Sequence, residues 1–530
     1  MKFNSRRSNI TARNGMVATT QPLAAMAGLR ILMEGGNAVD AAVATAATLN
    51  VVEPMSTGIG GDVFALVWMN AEKRVRALNA SGRSSANASA DNLISQGLTE
   101  IPNQSPYTVN VPGAPSGWEA ILEAHGRMSL ADVLDPAIEY AEGGFPVSEV
   151  ISGAWETSGL RLGVGPAGGE LLIDSRAPRT GEIMRMPELA NTFRAVAEGG
   201  AEAFYRGDIA GRIADFVQSQ GGWLTREDFA AHTADWVEPI STTYRGHTVW
   251  QCPPPSQGVN TLMALNLAEG FDLGAMGSQS LDAYHHLIEC IRLAFADGLQ
   301  HIADPDHMTA AVSELLSKEY ADSRRAEIRA DKAIAEVGPG LVPVHPDTVY
   351  LSAVDGDGNA CSFINSLFMG FGAGFVVPGT GVALHNRGAG FSLDPSHVNV
   401  LAPNKRPFHT LIPGMVTRDD EFAISYGVMG AMQQAQGHLQ VLVNMIDHGL
   451  SPQAALDAYR FSVRVGDGVY LEDAVASDLV DGLRAKGHPA RVRPPHQGFF
   501  GSGQVIRRDP DSGVLTGASE PRADGAAVGW

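Results

Sequence analysis

From Pro22 to Met33 apolar residues recur at helical spacing and stop at Gly35-Gly36. A second helix opens on Asn37, with Asp40 three residues on as its capping partner, and runs through an Ala- and Val-rich stretch to Asn50. The pattern then becomes strand-like in VFALVWM, turns at Asn70 to Lys73, and returns as RVRALNA, a hairpin ending at Ser81-Gly82-Arg83. Helical spacing resumes behind two further capping boxes, Ser116 with Glu119 and Ser129 with Asp132, and again in PELANTFRAVAEGG and DIAGRIADFVQSQGG. Residues 160–186, rich in Gly and Pro, read as a surface excursion. WVEPIST and HTVWQC read as strands, YHHLIECIRLAFADGLQH as a packed helix, and residues 310–335 as charged helix. Beyond Thr348 the segments VYLSAV, ACSFIN, GFVV, GVAL, GMVT and FAISYG have strand length, while GHLQVLVNMIDHG and SPQAALDAYRF are helical. Helices first and strands later suit helical layers stacked on antiparallel sheet, an α+β class. No repeat or linker divides the chain, so one fold is expected.

Composition narrows the partners. With 530 residues, 44% of them hydrophobic, the chain can fill one large core. Thirty-eight Lys plus Arg against 58 Asp plus Glu leave a formal charge of −20, which disfavours nucleic acid or an anionic membrane and points to a small molecule. The opening MKFNSRRSNITARNGM has no apolar run behind its arginines and no 18-residue apolar stretch follows, so neither a secretory signal nor a membrane span is predicted, and a cytoplasmic location is expected. Cys252, Cys290 and Cys361 are widely spaced and read as buried free thiols. His285, His286 and Glu289 lack the HExxH pattern and read as structural, and neither a metal nor an organic cofactor is expected. The stretch STGIGGD, residues 56–62, has the composition of a phosphate cradle, but a strand follows it where a nucleotide loop leads into a helix.

Candidate chemistry gathers at Pro346-Asp347-Thr348, where a Gly- and Pro-rich approach (VGPGLVPVHPD) runs into TVYLSAVDGDGNACSFINS. A threonine here simply opens a strand, as threonines often do, or it is where the chain cuts itself and exposes an α-amine beside a hydroxyl. An amine with a reference pKa of about 7.7 to 8.0 can take the hydroxyl proton near neutral pH.

From Asn14 to Trp530 the chain resembles the γ-glutamyltransferase and glutathione hydrolase family, in a short-lidded bacterial subgroup. The resemblance is carried by NGMVATTQPLAAMAGLRILMEGGNAVDAAVATAATLNVVEP, STGIGGD, CPPPSQGVNTLMALNLAEGF, APNKRPFHT and GASEPRADGAAVGW together with the Thr348 junction. It implies the four-layer αββα sandwich of N-terminal nucleophile hydrolases. It also implies cleavage between Asp347 and Thr348 into residues 1–347 and 348–530, which stay associated as one fold, with Thr348 as nucleophile and its amine as base. Ser366 matches the hydroxyl that orients the nucleophile. GVMGAMQQ matches the paired-glycine oxyanion loop, with Gly430 and Ala431 on its two positions, although by itself it also reads as a glycine turn before a helix. His409 and Thr410 stand where two serines contact the substrate carboxylate, and His409 reads equally as a packed loop histidine.

Four positions depart from the family. Ser81 stands for its carboxylate-gripping arginine, Phe368 for an asparagine, Arg387 for an amide, and Gly390 for the aspartate that meets the substrate ammonium. Arg83 and Arg387 are expected to supply a carboxylate clamp from other directions. The span from Asn386 to Arg406 is too short for a lid loop, so an open pocket is expected. The implied activity is hydrolysis, over transpeptidation, of γ-glutamyl amides such as glutathione through a threonyl acyl-enzyme. The alternatives are hydrolysis of small carboxylated amides of oxamate or glutaryl type and, in another class, an uncleaved binding protein. Association of αβ units into a homo-oligomer is left open.

Overall fold

The structure, a computed structural model, describes residues 7–335, 337 and 346–530. Two seven-stranded antiparallel sheets lie face to face. The first runs Ala526–Gly529, Gly15–Thr19, Pro346–Asp355, Ala360–Met369, Asp62–Met69, Arg74–Ala80 and Asp235–Val237. The second runs Ile10–Ala12, Leu515–Ser519, Ser502–Arg508, Glu421–Met429, Gly414–Arg418, His247–Gln251 and Ile240–Tyr244. Helices Pro22–Met33, Ala38–Val52, Ala114–His125, Leu130–Gly143 and Pro187–Tyr205 cover the outer face of the first sheet, and Gly258–Ala268, Leu281–His301 and Gln433–Ile446 that of the second. The result is the αββα sandwich.

Side-chain alternation sorts the strands between layers. In Pro346–Asp355, Val349, Leu351 and Ala353 join the helix-side core, while Tyr350 and Val354 join the core between the sheets with Phe64, Leu66, Ile364, Met415 and Ile506. The sheets meet closely: a Cβ at Gly427 would lie 2.5 Å from Tyr350 Cε2, and Ser352 Oγ donates to Ser425 Oγ at 2.6 Å. Helix Ala38–Val52 is buried along its whole length and is capped as expected by Asn37 and Asp40. The other helix against which it packs, Pro22–Met33, passes so near that a Cβ at Gly28 would meet Thr45 Oγ1 at 2.1 Å.

Several sequence expectations change. The helix expected behind Ser116 starts two residues earlier, at Ala114, with Pro115 in its first turn; Ser116 lies inside it and donates to Gly113 O at 2.8 Å. Residues 160–186 hold short 3₁₀ turns whose Leu162 and Leu171 enter the core, and Trp155 Nε1 donates to Leu171 O at 2.9 Å. Helices do not simply precede strands, because each main sheet mixes strands from before and after Thr348. Gly15–Thr19 shows why the pattern misled: both its faces are covered, all five residues are buried, and period two vanishes.

Cys252, Cys290 and Cys361 are buried free thiols as expected. His285 meets His488 at 2.8 Å and Arg329 O at 2.7 Å, and His286 meets Asp282 O at 2.7 Å, so these rings serve packing. Among the described residues no helix is long and apolar enough to cross a membrane. The Pro346–Asp355 strand runs unbroken through the Asp347-Thr348 bond, so the chain is described uncut; of its approach, residues 338–345 lie outside the described residues.

Candidate active site

Three adjacent strands set the site. Ser366 pairs with Asp62 across Ala360–Met369 and Asp62–Met69, and the pairing of Pro346–Asp355 with Ala360–Met369 shifts between Asp347 and Val349, so that Thr348 alone faces the two residues Ser366 and Leu367. Thr348, Ser366 and Asp62 share parity with Tyr350, Ile364 and Phe64 of the inter-sheet core, which brings all three to the same face. Thr348 Oγ1 and Ser366 Oγ are 3.0 Å apart, and Ser366 Oγ accepts the Phe368 N–H at 2.8 Å. The shifted register continues into Phe368, whose φ is +80°.

Asp62 sits at the end of the STGIGGD stretch and is fully buried. It accepts the Gly82 N–H at 2.9 Å and His409 Nε2–H at 3.1 Å, with His385 Nδ1 at 3.5 Å and Arg387 Nε at 3.8 Å. Each histidine's tautomer follows from its other nitrogen: His409 Nδ1 accepts the Leu411 N–H at 3.3 Å, and His385 donates from Nε2 to Asn110 O at 3.0 Å. Burial alone raises the Asp62 carboxyl, yet His385, His409 and Arg387 outweigh it and hold the carboxylate below its usual range. Burial pushes His409 down to about 3 and lowers His385 as well, and Arg387 is the permanent cation beside Asp62. Burial also lowers Arg387, to about 9, against the opposing pull of Asp62. Arg387 Nη1 donates to Thr410 Oγ1 at 2.9 Å, its Nη2 reaches Ser366 Oγ at 3.4 Å, and its guanidinium carbon stands 4.1 Å from the Phe368 ring centre.

The second sheet supplies a turn. Tyr350 lies over Gly427 and Ser352 against Ser425, so two residues back along one strand are two forward along the other, and the same step sets Thr348 level with Met429 and the Gly430–Ala431 turn. The turn opens helix Gln433–Ile446. Gln433 N–H donates to Gly430 O at 2.9 Å and Gln434 N–H to Ala431 O at 3.0 Å. In a trans peptide the N–H points opposite to the C=O, so the Ala431 and Met432 N–H groups face away from the helix, and neither bonds to another described residue. Two unspent donors at a helix N-terminus can receive a developing oxyanion. Ala431 holds φ at +49°, the left-handed region that alanine tolerates at a cost.

Other expected residues are placed differently. Both ring nitrogens of His409 are committed to Asp62 and Leu411, so it supports the carboxylate and has no nitrogen left for a substrate. Arg83 turns to Asp304 and to Asn404 O, both at 3.2 Å, rather than to the Thr348 cluster. Ser81 is buried and donates to Asn79 Oδ1 at 2.7 Å. Gly390 faces room, since a Cβ there would meet only Phe408 O at 3.4 Å. The short span from Asn386 to Arg406 is pinned by Lys405 Nζ to Val398 O and Val400 O and by Asn399 Nδ2 to Gly390 O. The pocket is not open in the uncut chain: Thr348, Ser366, Arg387, Thr410 and Ala431 are all buried. Sequence reasoning singled out neither Asp62 nor His385, although the acid closes the STGIGGD stretch that was weighed for phosphate binding and that carries part of the family resemblance.

A model of the gamma-glutamyltranspeptidase family matches residues 24–530. The chain is 39% identical over 521 residues to the glutathione hydrolase-like YwrD proenzyme of Bacillus subtilis, covering 97% of this chain and 98% of that one. It is 35% identical to the oxamate amidohydrolase proenzyme of Klebsiella pneumoniae, covering 99% of both. The crystal structure of a cephalosporin acylase from Bacillus halodurans superposes with a TM-score of 0.94 at 45% identity, covering 100% of this chain and 98% of that one.

The left-handed Ala431 generates a stability prediction. In an uncut Thr348→Ala background, Ala431→Gly is expected to raise the free energy of unfolding by about 1 kcal/mol, because glycine adopts positive φ without the Cβ clash. Denaturant titration of the two proteins checks it, and a loss of stability would contradict the strain.

Proposed function

The chain belongs to the gamma-glutamyltranspeptidase family, and we propose that it is a self-cleaving N-terminal threonine amidohydrolase for small amides whose acyl group carries a carboxylate and no α-ammonium. The observation that carries this reading is Arg387. It is a buried cation one hydrogen bond from Ser366, with unspent donor hydrogens on its guanidinium, while Gly390 offers no acid. A relative named for oxamate, whose acyl group carries a carboxylate and no ammonium, supports a family site that accepts such acyl groups. Hydrolysis of γ-glutamyl amides such as glutathione is the second reading, favoured by the glutathione hydrolase-like relative.

In the proposed mechanism Thr348 Oγ attacks the Asp347 carbonyl, the peptide C–N bond breaks, and an ester forms with a free Thr348 amine. Water opens the ester, leaving a carboxylate on Asp347 and the hydroxyl on Thr348. Residues 1–347 and 348–530 then remain together as one fold. With substrate, the amine takes the Oγ proton, Oγ adds to the amide carbonyl, and the oxyanion rests on the Ala431 and Met432 N–H groups. The protonated amine passes its proton to the departing amine, and water repeats the sequence on the acyl-threonine. Ser366 orients Oγ, and Arg387 with Thr410 meets the acyl carboxylate.

Thr348→Ala is expected to leave one uncut, inactive chain, and mass analysis of the wild type to find Thr348 at a new N-terminus; any other start sinks the assignment. For pH, the base must be unprotonated, and nearby Arg387 and burial both depress an amine. With His409 down near 3 and Arg387 near 9, kcat/KM is expected to rise with pH through a single ionisation below the free-amine range of about 7.7 to 8.0. A second, histidine-like ionisation in that profile would point to another base.

For substrate, a buried ammonium without an anion loses roughly 2 to 5 kcal/mol, about 30-fold to several thousand-fold. The wild type is expected to cleave a glutaryl anilide at least as well as the γ-glutamyl anilide. Gly390→Asp, for which there is room, is expected to shift the ratio at least about tenfold toward the γ-glutamyl compound. A hundredfold wild-type preference for the γ-glutamyl compound would restore the second reading.

A further inference from the structure

Gln257 lies outside every role given so far. It caps helix Gly258–Ala268 on a loop laced to the acyl-side residues: its own N–H donates to His409 O at 2.8 Å, His409 N–H donates to Pro255 O at 2.8 Å, and Ser256 Oγ donates to Leu411 O at 2.7 Å. Its side chain is fully buried, and both amide hydrogens are spent on carbonyls, Nε2 to Thr410 O at 2.9 Å and Nε2 to Ala431 O at 2.7 Å. Those two acceptors fix the amide orientation, since Oε1 receives no donor.

We propose that Gln257 is a positioning residue for the reaction, a strut that holds Ala431 in its left-handed conformation and so aims the oxyanion donors at the level of Thr348. The inference rests on the reading of the 430–432 turn as the oxyanion site. The physical need for a strut comes from Ala431 itself. Glycine takes φ near +49° freely, whereas alanine favours other conformations, so the turn relaxes unless its carbonyl is gripped. Gln434 N–H grips that carbonyl from the helix and Gln257 from the opposite chain segment. Because the peptide is planar, fixing Ala431 O also fixes the Met432 N–H. The same amide group bonds Thr410 O, and Thr410 Oγ1 accepts from Arg387, so one side chain ties the oxyanion turn to the acyl-side cation.

The test is a double-mutant cycle on the purified two-chain enzyme with Gln257→Met, which keeps the length but not the donors, and Ala431→Gly. An oxyanion is made only in the transition state, so Gln257→Met is expected to lower kcat about 10- to 100-fold with KM changed less than about threefold. In the Ala431→Gly background the same substitution is expected to cost less than about threefold, because glycine needs no strut. A boronic acid analogue of the acyl group is expected to lose affinity in step with kcat. If a variant fails to cut itself, the rate of self-cleavage replaces kcat in the same cycle. Equal losses in both backgrounds, or a loss confined to KM, overturn the strut and leave the hydrolase reading intact. A kcat loss without any change in boronate affinity overturns the oxyanion assignment on which the strut rests.

Discussion

Everything at this site depends on the pairing of three antiparallel strands. Antiparallel pairing sets residues opposite one another whatever their distance along the chain, and here it brings Thr348, Ser366 and Asp62 into one row on one face. A slip of one residue would turn each side chain into the helix-side core, where Val349, Leu367 and Val63 lie. The shift at Thr348 is therefore informative. The ladder is irregular at Thr348 and regular on both sides of it, so the sheet fixes this residue's position from either side.

Charge follows from this row. A carboxylate buried as deeply as Asp62 is costly unless it is paired and hydrogen-bonded, and the same holds for the Arg387 guanidinium. The two answer each other at 3.8 Å, with Gly82, His409 and Thr410 supplying the remaining bonds. The pair explains how an arginine can stand at a position where the family resemblance implies an uncharged amide: the compensating acid comes from a different strand.

The legible part of the fold was the part written in local chemistry. Helix Ala38–Val52 with its Asn37 cap, the hairpin from Asp62 to Ala80 and the strand leading from Thr348 all carried periodicity and turn residues that need no tertiary context. Gly15–Thr19 did not, because a short strand covered on both sides shows no alternation, and the uniformly half-buried edge strand Ala526–Gly529 shows none either. In the site, Thr348, Ser366, Gly430 and Ala431 were singled out through the family resemblance, while Asp62 was passed over because the glycines before it suggested phosphate. The function of those glycines is steric: a Cβ at Gly60 would meet Ala383 O at 2.1 Å and one at Gly61 would meet Ser366 O at 2.4 Å, so they let Asp62 approach. His409 looked equally like a ligand and a packed ring, and only its two hydrogen bonds decide for packing.

The burial of Thr348 in the uncut chain bears on the order of events. On the proposed mechanism, a nucleophile with no exposed surface meets no dissolved substrate, and the carbonyl it attacks first belongs to the residue bonded to it. That carbonyl is presented at effectively molar excess by the chain itself, and an intramolecular attack held in geometry gains many orders of magnitude over a bimolecular one. On that mechanism, enclosure disfavours premature hydrolysis and favours self-cleavage by the same geometry. The Ala431 turn and Arg387 are held in place in the uncut chain, since Ala431, Thr410, Arg387 and Ser366 already hold their bonds there. On the proposed mechanism, cutting the chain adds a free amine to a site whose other parts are already in place.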